Sequence, residues 1–168
     1  KIQINSVINQ RYRVDGFINV GGSGVVYKVF DLTKQTYSAM KVLNLDPQDD
    51  PWAVKLFIRE ANAYKKLSHP NIVPFYGLEE TDDAVFMLQK FIDGGSIKEL
   101  LKPKRPLPIT DVLVIMKALC ASLGYAHHFG VVHCDVKPGN ILFDQGGAIY
   151  LTDFGIARHA DSTATSLN

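Results

Sequence analysis

The stretches HCDVKPGN at residues 133–140 and DFG at residues 153–155 decide how this sequence is interpreted. They place two carboxylates, Asp135 and Asp153, close in sequence to Asn140 and Lys137. Carboxylate and amide oxygens are hard ligands that suit Mg²⁺, and a lysine offsets phosphate charge. Asp135 could instead accept a proton from an attacking hydroxyl group. A solvated polar loop is the alternative, which the ordered motifs upstream make less favourable.

Two further features lie in the first half of the chain. The stretch VGGSGVV at residues 20–26 joins two strand-like runs, and its glycines allow backbone N–H groups to approach phosphate oxygens, although an ordinary hairpin has the same pattern. Glu60 lies on the apolar stripe of a predicted helix, where a carboxylate needs a cationic partner. Lys41, on a predicted strand, is the expected partner. A purely structural ion pair is the alternative.

The periodicities divide the chain into a strand-rich half and a helical half. The predicted strands are 25–30, 37–43, 72–76, 84–91, 141–143 and 149–151. The predicted helices run from the N-cap Asp50, followed by Pro51, to Ser68-His69-Pro70, over 96–101, and from near Thr110 to Gly130. The hinge between the halves is predicted at Lys90 to Gly95.

Composition and charge exclude several classes of protein. The chain has 168 residues and a net charge of +1, so nothing steers it toward nucleic acid or an anionic membrane. Hydrophobic residues make up 46% and charged residues 21%, which excludes a disordered chain. We expect no membrane-spanning segment, because no apolar run comes near the roughly 18 residues needed to cross a bilayer. Because Cys120 and Cys134 are the only two cysteines, we expect no disulfide scaffold and a cytoplasmic location.

The ordered motifs resemble those of the protein kinase family, most closely the eukaryotic-like serine/threonine kinases of bacteria. The resemblance covers almost the whole chain from about Tyr12. It implies an α+β, protein-kinase-like two-lobe fold, with an antiparallel β-sheet and one helix in the small lobe and the first part of a mainly helical large lobe. The expected division is an N-terminal extension at 1–11, the small lobe at 12–92 and the partial large lobe at 93–168.

The resemblance also implies ATP-dependent phosphoryl transfer to serine or threonine hydroxyls of a protein substrate, with Mg²⁺, or alternatively Mn²⁺, as the metal. Asp135 would orient the substrate hydroxyl and take its proton, and Lys137 is typical of the serine/threonine class. Asn140 and Asp153 would bind the metal. Lys41, paired with Glu60, would hold the α- and β-phosphates.

The residues implied to surround ATP fall into three groups. They are the glycine loop with its flanks (Asn19, Val20, Gly21, Gly22, Ser23, Gly24 and Val26), the adenine sandwich (Ala39 and Leu142), and the segment along the adenine edge (Gln89 as gatekeeper, then Lys90, Phe91 and Ile92). His133, Phe154, Tyr64 and Phe75 would form a stacked hydrophobic column that joins the two lobes.

Three departures from the family pattern stand out. Asn19 replaces the first glycine of the loop, which we expect to have a modest effect because asparagine tolerates unusual backbone angles. Cys134 stands where most members have an arginine that pairs with a phosphate on the activation loop. A cysteine cannot form that pair, so we expect activity not to require phosphorylation of Thr163 or Thr165. For Cys134 itself we expect a small buried residue. The third departure is the end of the sequence, which we expect to be a truncation within the activation segment. The surface of the large lobe would then be uncovered and could mediate association. A longer parent protein could also be anchored to a membrane through a downstream segment.

Two other functions stay open at this point. One is an ATP-binding, pseudokinase-like regulatory module without turnover, which loss of the remaining large lobe would favour. The other is a small-molecule phosphotransferase of related fold. Members of that group usually lack a lysine at the position of Lys137 and the Asp-Phe-Gly sequence, so it ranks last.

Overall fold

The computed structural model describes residues 2–21, 24–43, 51–81, 84–101 and 106–154, together with the backbone of 158–159. The chain divides into two compact units. Unit 1 comprises residues 1–61 and 74–91, and unit 2 comprises residues 62–73 and 92–168. The predicted lobe boundaries, at residues 11 and 92, stay predictions.

The described strands of unit 1 form one antiparallel sheet in the order β1-β2-β3-β4-β6-β5. The strands are β1 (Val7–Ile8), β2 (Tyr12–Gly21), β3 (Gly24–Asp31), β4 (Thr36–Val42), β5 (Phe75–Thr81) and β6 (Ala84–Lys90). The prediction of a strand over 72–76 was wrong at its start, because Ile72 makes only an isolated bridge to Leu151 and the strand begins at Phe75.

Side-chain alternation gives the sheet of unit 1 two different faces. Successive residues of a strand point to opposite faces, and residues paired across two strands share a face. One face carries the buried core of the sheet, formed by Tyr12, Val14, Val29, Met40, Val42, Phe86 and Leu88. The other face carries Lys41, because it lies between Met40 and Val42 in β4.

Helix α1 (Pro51–Lys65) packs on the second face of the sheet. Its buried residues Phe57 and Ala61 form a cluster with Leu43, Val85 and Met87. Burial of a phenylalanine side chain contributes about 1.5–3 kcal/mol, so this stripe is sufficient to attach the helix. The helix ends at Lys65, a few residues before the predicted stop. The predicted N-cap Asp50 lies outside the described residues.

Unit 2 contains the end of α1 (residues 62–65), three further described helical segments and short strands. The helical segments are α2 (Ile97–Leu100), α3 (Ile109–His128) and a 3-10 turn (Pro138–Asn140). The strands are β7 (Gly95–Ser96), β8 (Val131–Val132), β9 (Ile141–Phe143), β10 (Ile149–Leu151) and β11 (Arg158–His159). The predicted pairing of 141–143 with 149–151 is confirmed, with Leu142 opposite Tyr150.

Helix α3 corrects one statement made from the sequence. It has 20 residues and a mean hydropathy of 1.6, so by length and composition alone it could cross a membrane, contrary to the expectation that no run approaches that length. A single helix of this kind is weak evidence for a membrane span, since the core helices of soluble proteins pass the same test. Leu119 and Ala126 are buried within unit 2, whereas Ile109, Leu113 and Met116 are exposed.

Candidate active site

A buried ion pair connects strand β4 to helix α1 in unit 1. Lys41 Nζ lies 2.7 Å from Glu60 Oε1, and the two side chains are 5% and 1% exposed. Removing either partner would leave the other charge in a low-dielectric environment, where losing this contact is costly. The predicted pairing of Lys41 with Glu60 is confirmed.

The sheet face that carries Lys41 also presents three residues predicted to surround ATP. Val26 lies opposite Lys41 across β3 and β4, and Ala39 lies opposite Gln89 across β4 and β6. Because cross-strand partners share a face, these side chains lie on the same side of the sheet as the lysine. Val26 and Ala39 are half-buried and Gln89 is 8% exposed. The register thus places a small apolar surface beside a cation.

The glycine loop connects β2 to β3, and two of its predicted residues, Gly22 and Ser23, lie outside the described residues. Gly24 must lack a side chain, since a Cβ atom there would collide with the carbonyl oxygen of Val42. Asn19 pairs with Val26 in the strand ladder and is not among the described residues with positive φ. Its substitution for glycine therefore needs no unusual backbone angle. Its Oδ1 accepts the N–H of Val20 at 2.9 Å.

In unit 2 the segment 133–140 holds Asp135 through two polar neighbours. Lys137 Nζ donates to Asp135 Oδ2 at 2.7 Å, and Asn140 Nδ2 donates to the same oxygen at 3.1 Å and to the Asp135 carbonyl at 2.9 Å. Asn140 is 4% exposed, and the 3-10 turn after Lys137 carries it to this position. The three predicted residues of this segment are thus one hydrogen-bonded group.

These contacts determine the ionisation of Asp135. The hydrogen bond from Lys137 holds the pKa of the Asp135 carboxyl below its ordinary value, and the hydrogen bond from Asn140 acts in the same direction. Partial burial opposes both effects without cancelling them. Asp135 is therefore an ionised hydrogen-bond acceptor at neutral pH.

The backbone of Thr152 ties this segment to the Asp-Phe-Gly sequence. The Thr152 carbonyl lies 2.8 Å from His133 Nε2, and the Thr152 N–H donates to the Asn140 carbonyl at 2.9 Å. His133 Nδ1 accepts the Asp135 N–H at 3.2 Å. Thr152 therefore fixes the start of the Asp-Phe-Gly sequence relative to the loop that holds Asp135.

His133 is a neutral hydrogen-bonding group in this arrangement. It is 1% exposed, and burial is the main cause that lowers its pKa below the ordinary value of 6.5. Since Nδ1 accepts a backbone hydrogen bond, the single ring proton lies on Nε2 and is donated to Thr152. A second proton would displace the N–H of Asp135.

Two residues of the described part of unit 2 have left-handed backbone angles without being glycine. Cys134 has φ 63° and Asp153 has φ 65°. Such angles cost free energy in L-amino acids, and they concentrate at functional sites. The prediction that Cys134 is a buried filler was wrong, because its free thiol is exposed. Thr163 and Thr165 lie outside the described residues.

Three members of the predicted hydrophobic column contact one another within unit 2. The rings of His133 and Phe154 are 4.5 Å apart, and those of Tyr64 and Phe154 are 5.4 Å apart. This part of the predicted stack is confirmed. Phe75, the fourth member, belongs to unit 1 and packs against the cluster that contains Phe57.

The residues predicted along the adenine edge are divided between the two units. Phe91 ends unit 1, and the Lys90 N–H donates to the Pro74 carbonyl at 2.9 Å. Ile92 begins unit 2, where it forms a buried cluster with Val73 and Tyr150 against which Leu142 packs. Their roles toward a nucleotide stay predictions.

Sequence reasoning missed two contributors to this geometry. Thr152 acts through its backbone, so its side chain gives no signal in the sequence. Tyr64 was predicted only as a stacking ring, yet its hydroxyl accepts the N–H of Asp153 at 2.6 Å. The sequence did contain a signal for this contact. Tyr64 falls on the buried stripe of a predicted helix, and a buried hydroxyl needs a hydrogen-bonding partner.

Comparison with known proteins agrees with this geometry. The sequence model of the protein kinase domain matches residues 12–167. The chain belongs to the protein kinase family. The predicted fold class, an α+β kinase fold with an antiparallel small-lobe sheet and the start of the large lobe, is confirmed by this match.

Several related kinases are serine/threonine-specific by name. The chain is 37% identical over 160 residues to serine/threonine-protein kinase PrkC of Bacillus subtilis, an alignment that covers 95% of this chain and 25% of that protein. It is 34% identical to the probable serine/threonine-protein kinase PknB of Lactococcus lactis, covering 97% of this chain and 26% of the relative. It is 36% identical to serine/threonine-protein kinase PknD of Mycobacterium tuberculosis, an alignment that covers 89% of this chain and 22% of that protein. The chain thus spans about a quarter of the length of these relatives.

Proposed function

We propose that this chain provides the ATP-binding and catalytic groups of a serine/threonine protein kinase, which transfers the γ-phosphoryl group of ATP to a protein hydroxyl. The observation that carries the proposal is the group formed by Asp135, Lys137 and Asn140, in which both side-chain donors converge on one oxygen of the aspartate. In this proposal, Asp135 Oδ1 is the oxygen that accepts a hydrogen bond from the substrate hydroxyl.

Binding of the phosphates falls to Lys41 in this proposal. Its ammonium group would contact the α- and β-phosphates while Glu60 keeps it charged and oriented. A buried lysine without a carboxylate partner tends to lose its proton, which would abolish its attraction for phosphate. The apolar surface of Val26 and Ala39 on the same sheet face suits an adenine ring.

The residues present fit a divalent cation such as Mg²⁺. Asn140 directs its amide nitrogen to Asp135, so its carbonyl oxygen projects away from these bonds and is a hard ligand. Asp153 would supply the carboxylate oxygen. When bound, the metal would neutralise charge on the phosphates, and Asn140 and Asp153 would hold it.

Asp135 would orient the hydroxyl and accept its proton as transfer proceeds. Its lowered pKa makes it a weak base, which suits a residue that positions the hydroxyl first and takes the proton late. Lys137, held beside it, would offset negative charge on the phosphoryl group. Positioning and electrostatic stabilisation would thus supply most of the rate acceleration.

The test separates ATP binding from turnover in the full-length protein. ATP should raise the melting temperature in the presence of Mg²⁺, and by less in its absence, because a ligand stabilises the folded state according to RT ln(1+[L]/Kd). In the Asp153→Ala variant, Mg²⁺ should no longer add to the rise in melting temperature that ATP causes. Phosphate transfer to a serine- or threonine-containing peptide should occur in the wild type and be about 10²–10⁴-fold slower in Asp135→Asn.

Binding without turnover in the wild type would instead support the regulatory module considered from the sequence. Phosphorylation of a small-molecule hydroxyl in preference to a peptide would support the related phosphotransferases. Lys137 argues against that outcome, since those enzymes usually lack it. A cytoplasmic location, the identity of the protein substrate, membrane anchoring and association through the large lobe are further parts of the proposal, and each requires its own measurement.

A further inference from the structure

The hydroxyl group of Tyr64 occupies a position that stacking alone does not require. Tyr64 lies on the last turn of α1 and is 1% exposed, and its ring meets Phe154 edge-on at 5.4 Å. Its hydroxyl accepts the Asp153 N–H at 2.6 Å and lies 3.3 Å from Thr152 Oγ1. A phenylalanine would pack against Phe154 equally well, and a buried hydroxyl is costly unless it forms hydrogen bonds.

The partner of this hydroxyl is a strained residue. Asp153 has φ 65°, a left-handed angle that costs an L-amino acid free energy and persists only where the surroundings stabilise it. The bond from the Asp153 N–H to Tyr64 exists only while the peptide plane before Asp153 keeps its present orientation. The hydroxyl therefore stabilises the present orientation of this peptide plane, from which the left-handed Asp153 continues the chain.

The orientation of this peptide plane and the angle φ together determine where the Asp153 side chain projects. A change of φ from left-handed to extended rotates Cβ about the backbone, which would carry the carboxylate several ångströms. The same residue lies next to Thr152, whose backbone is bonded to both His133 and Asn140, so the segment before Asp153 is already fixed. The Thr152 carbonyl and the Asp153 N–H belong to the same peptide plane, so His133 and Tyr64 hold that plane from its two sides, next to the Cα atom that carries the carboxylate.

We propose that Tyr64 is a positioning residue whose hydroxyl holds the backbone of Asp153 so that its carboxylate can bind the divalent cation. This inference rests on the proposed function, because it assigns Asp153 a metal. The inference gives Tyr64 a role beyond the hydrophobic column. It predicts that Tyr64→Phe, which removes only the hydroxyl oxygen, weakens the Mg²⁺-dependent part of ATP binding and leaves the metal-independent part unchanged.

The decisive variant is Tyr64→Phe, measured in the full-length protein. The readout is the factor by which Mg²⁺ tightens ATP binding, obtained by calorimetric titration with Mg²⁺ and with EDTA. We expect this factor to fall about tenfold in Tyr64→Phe, while ATP binding in EDTA stays within twofold of the wild type. Loss of a hydrogen bond to a buried N–H is sufficient for a change of this size.

The chain provides a matched control in the same unit. The Tyr125 hydroxyl also accepts a backbone N–H, that of Ser68 at 3.2 Å, and its ring stacks between His69 and Phe129. Tyr125→Phe removes the same atom from a hydroxyl that also accepts a backbone N–H, in a longer and more exposed contact away from Asp153. It should leave the Mg²⁺ factor unchanged, so a decrease in both variants would mean general loosening of the unit and would overturn the proposal.

Amide hydrogen exchange at Asp153 gives a second readout that does not depend on ATP. The Asp153 amide should be protected in the wild type and should exchange at least tenfold faster in Tyr64→Phe. Exchange in the wild type at the rate of an unprotected amide would overturn the proposal even if the variant failed to fold.

The failure of this inference can be told apart from failure of the proposed function. If Asp153→Asn abolishes the Mg²⁺ factor while Tyr64→Phe retains it within twofold, Asp153 is the ligand and Tyr64 does not position it. If Asp153→Asn itself leaves the factor intact, the assignment of the metal ligand is wrong.

Discussion

The ion pair between Lys41 and Glu60 should dominate the electrostatic contribution to the stability of unit 1. The Glu60→Gln substitution removes a carboxylate whose Oε1 lies 2.7 Å from the ammonium group while keeping its shape. Both side chains are at most 5% exposed, so the lysine left behind cannot recover its hydration. Breaking one partner of such a buried pair costs about 3–5 kcal/mol of unfolding free energy. We expect Glu60→Gln and Lys41→Met each to fall in this range.

Urea denaturation followed by circular dichroism measures the effect, and an exposed pair supplies the control. Arg13 and Asp15 form an equally short contact of 2.6 Å, but their side chains are 42% and 18% exposed. Asp15→Asn should therefore change the unfolding free energy by no more than about 1 kcal/mol. Added salt should weaken the exposed pair and leave the buried pair nearly unaffected.

A double variant separates the structural role of the pair from its role in binding. Replacing both charges, as in Lys41→Met with Glu60→Leu, leaves no unpaired buried charge and should return the stability to within about 2 kcal/mol of the wild type. ATP binding should nevertheless remain lost, because the cation for the phosphates is absent. If the double variant binds ATP with the affinity of the wild type, or if either single variant costs less than about 1 kcal/mol, the reasoning about this pair is refuted.

Three further outcomes are expected. Asp135→Asn should lower kcat by about 10²–10⁴-fold and leave the KM for ATP unchanged, because it removes a proton acceptor but no nucleotide contact; an equal rise in KM would contradict this. The lowered pKa of His133 means that, as pH falls below 6.5, the unfolded chain takes up its proton first, so the unfolding free energy should decrease until the folded pKa is reached. An NMR titration giving His133 a pKa of 6.5 or higher would oppose that. Lys28→Met should destabilise unit 1 by about 1 kcal/mol, since Lys28 Nζ lies 4.1 Å from the Tyr37 ring centroid and 4.7 Å from that of Phe91; Lys34→Met, whose cation is 5.6 Å from Tyr76, should cost less.

Local patterns were sufficient to predict most of the elements and the pairing at the site. Helix α1 and strands β9 and β10 follow directly from apolar spacing and turn residues, and Glu60 was expected to seek Lys41 because it falls on a buried stripe. The start of β5 was missed because Ile72 and Val73 look like strand residues, yet they pack and bridge within unit 2. Propensity cannot show which of two units will bury an apolar residue.

The backbone determinants of the site could not be predicted, since they do not depend on side-chain type. Thr152 acts through its N–H and carbonyl, which any residue other than proline could supply. The left-handed angle at Cys134 likewise has no sequence signal, because cysteine does not favour it.

The distribution of buried polar groups points to the same residues as the sequence motifs. Burying a polar group costs free energy unless it is hydrogen-bonded, so a fold retains such groups where they serve a purpose. The described polar or charged residues that are buried are Asp31, Ser38, Lys41, Glu60, Gln89, Ser122, His133 and Asn140. Asp31 has a local structural explanation, since it pairs with Arg11 and accepts the N–H groups of the following turn. Five of the remaining seven (Lys41, Glu60, Gln89, His133 and Asn140) are residues that the kinase resemblance had assigned to ATP, metal or the hydrophobic column. Because apolar residues of similar volume often replace buried polar or ionic groups at little cost, the proposed phosphotransfer role offers a physical reason for this sequence to carry these five polar residues.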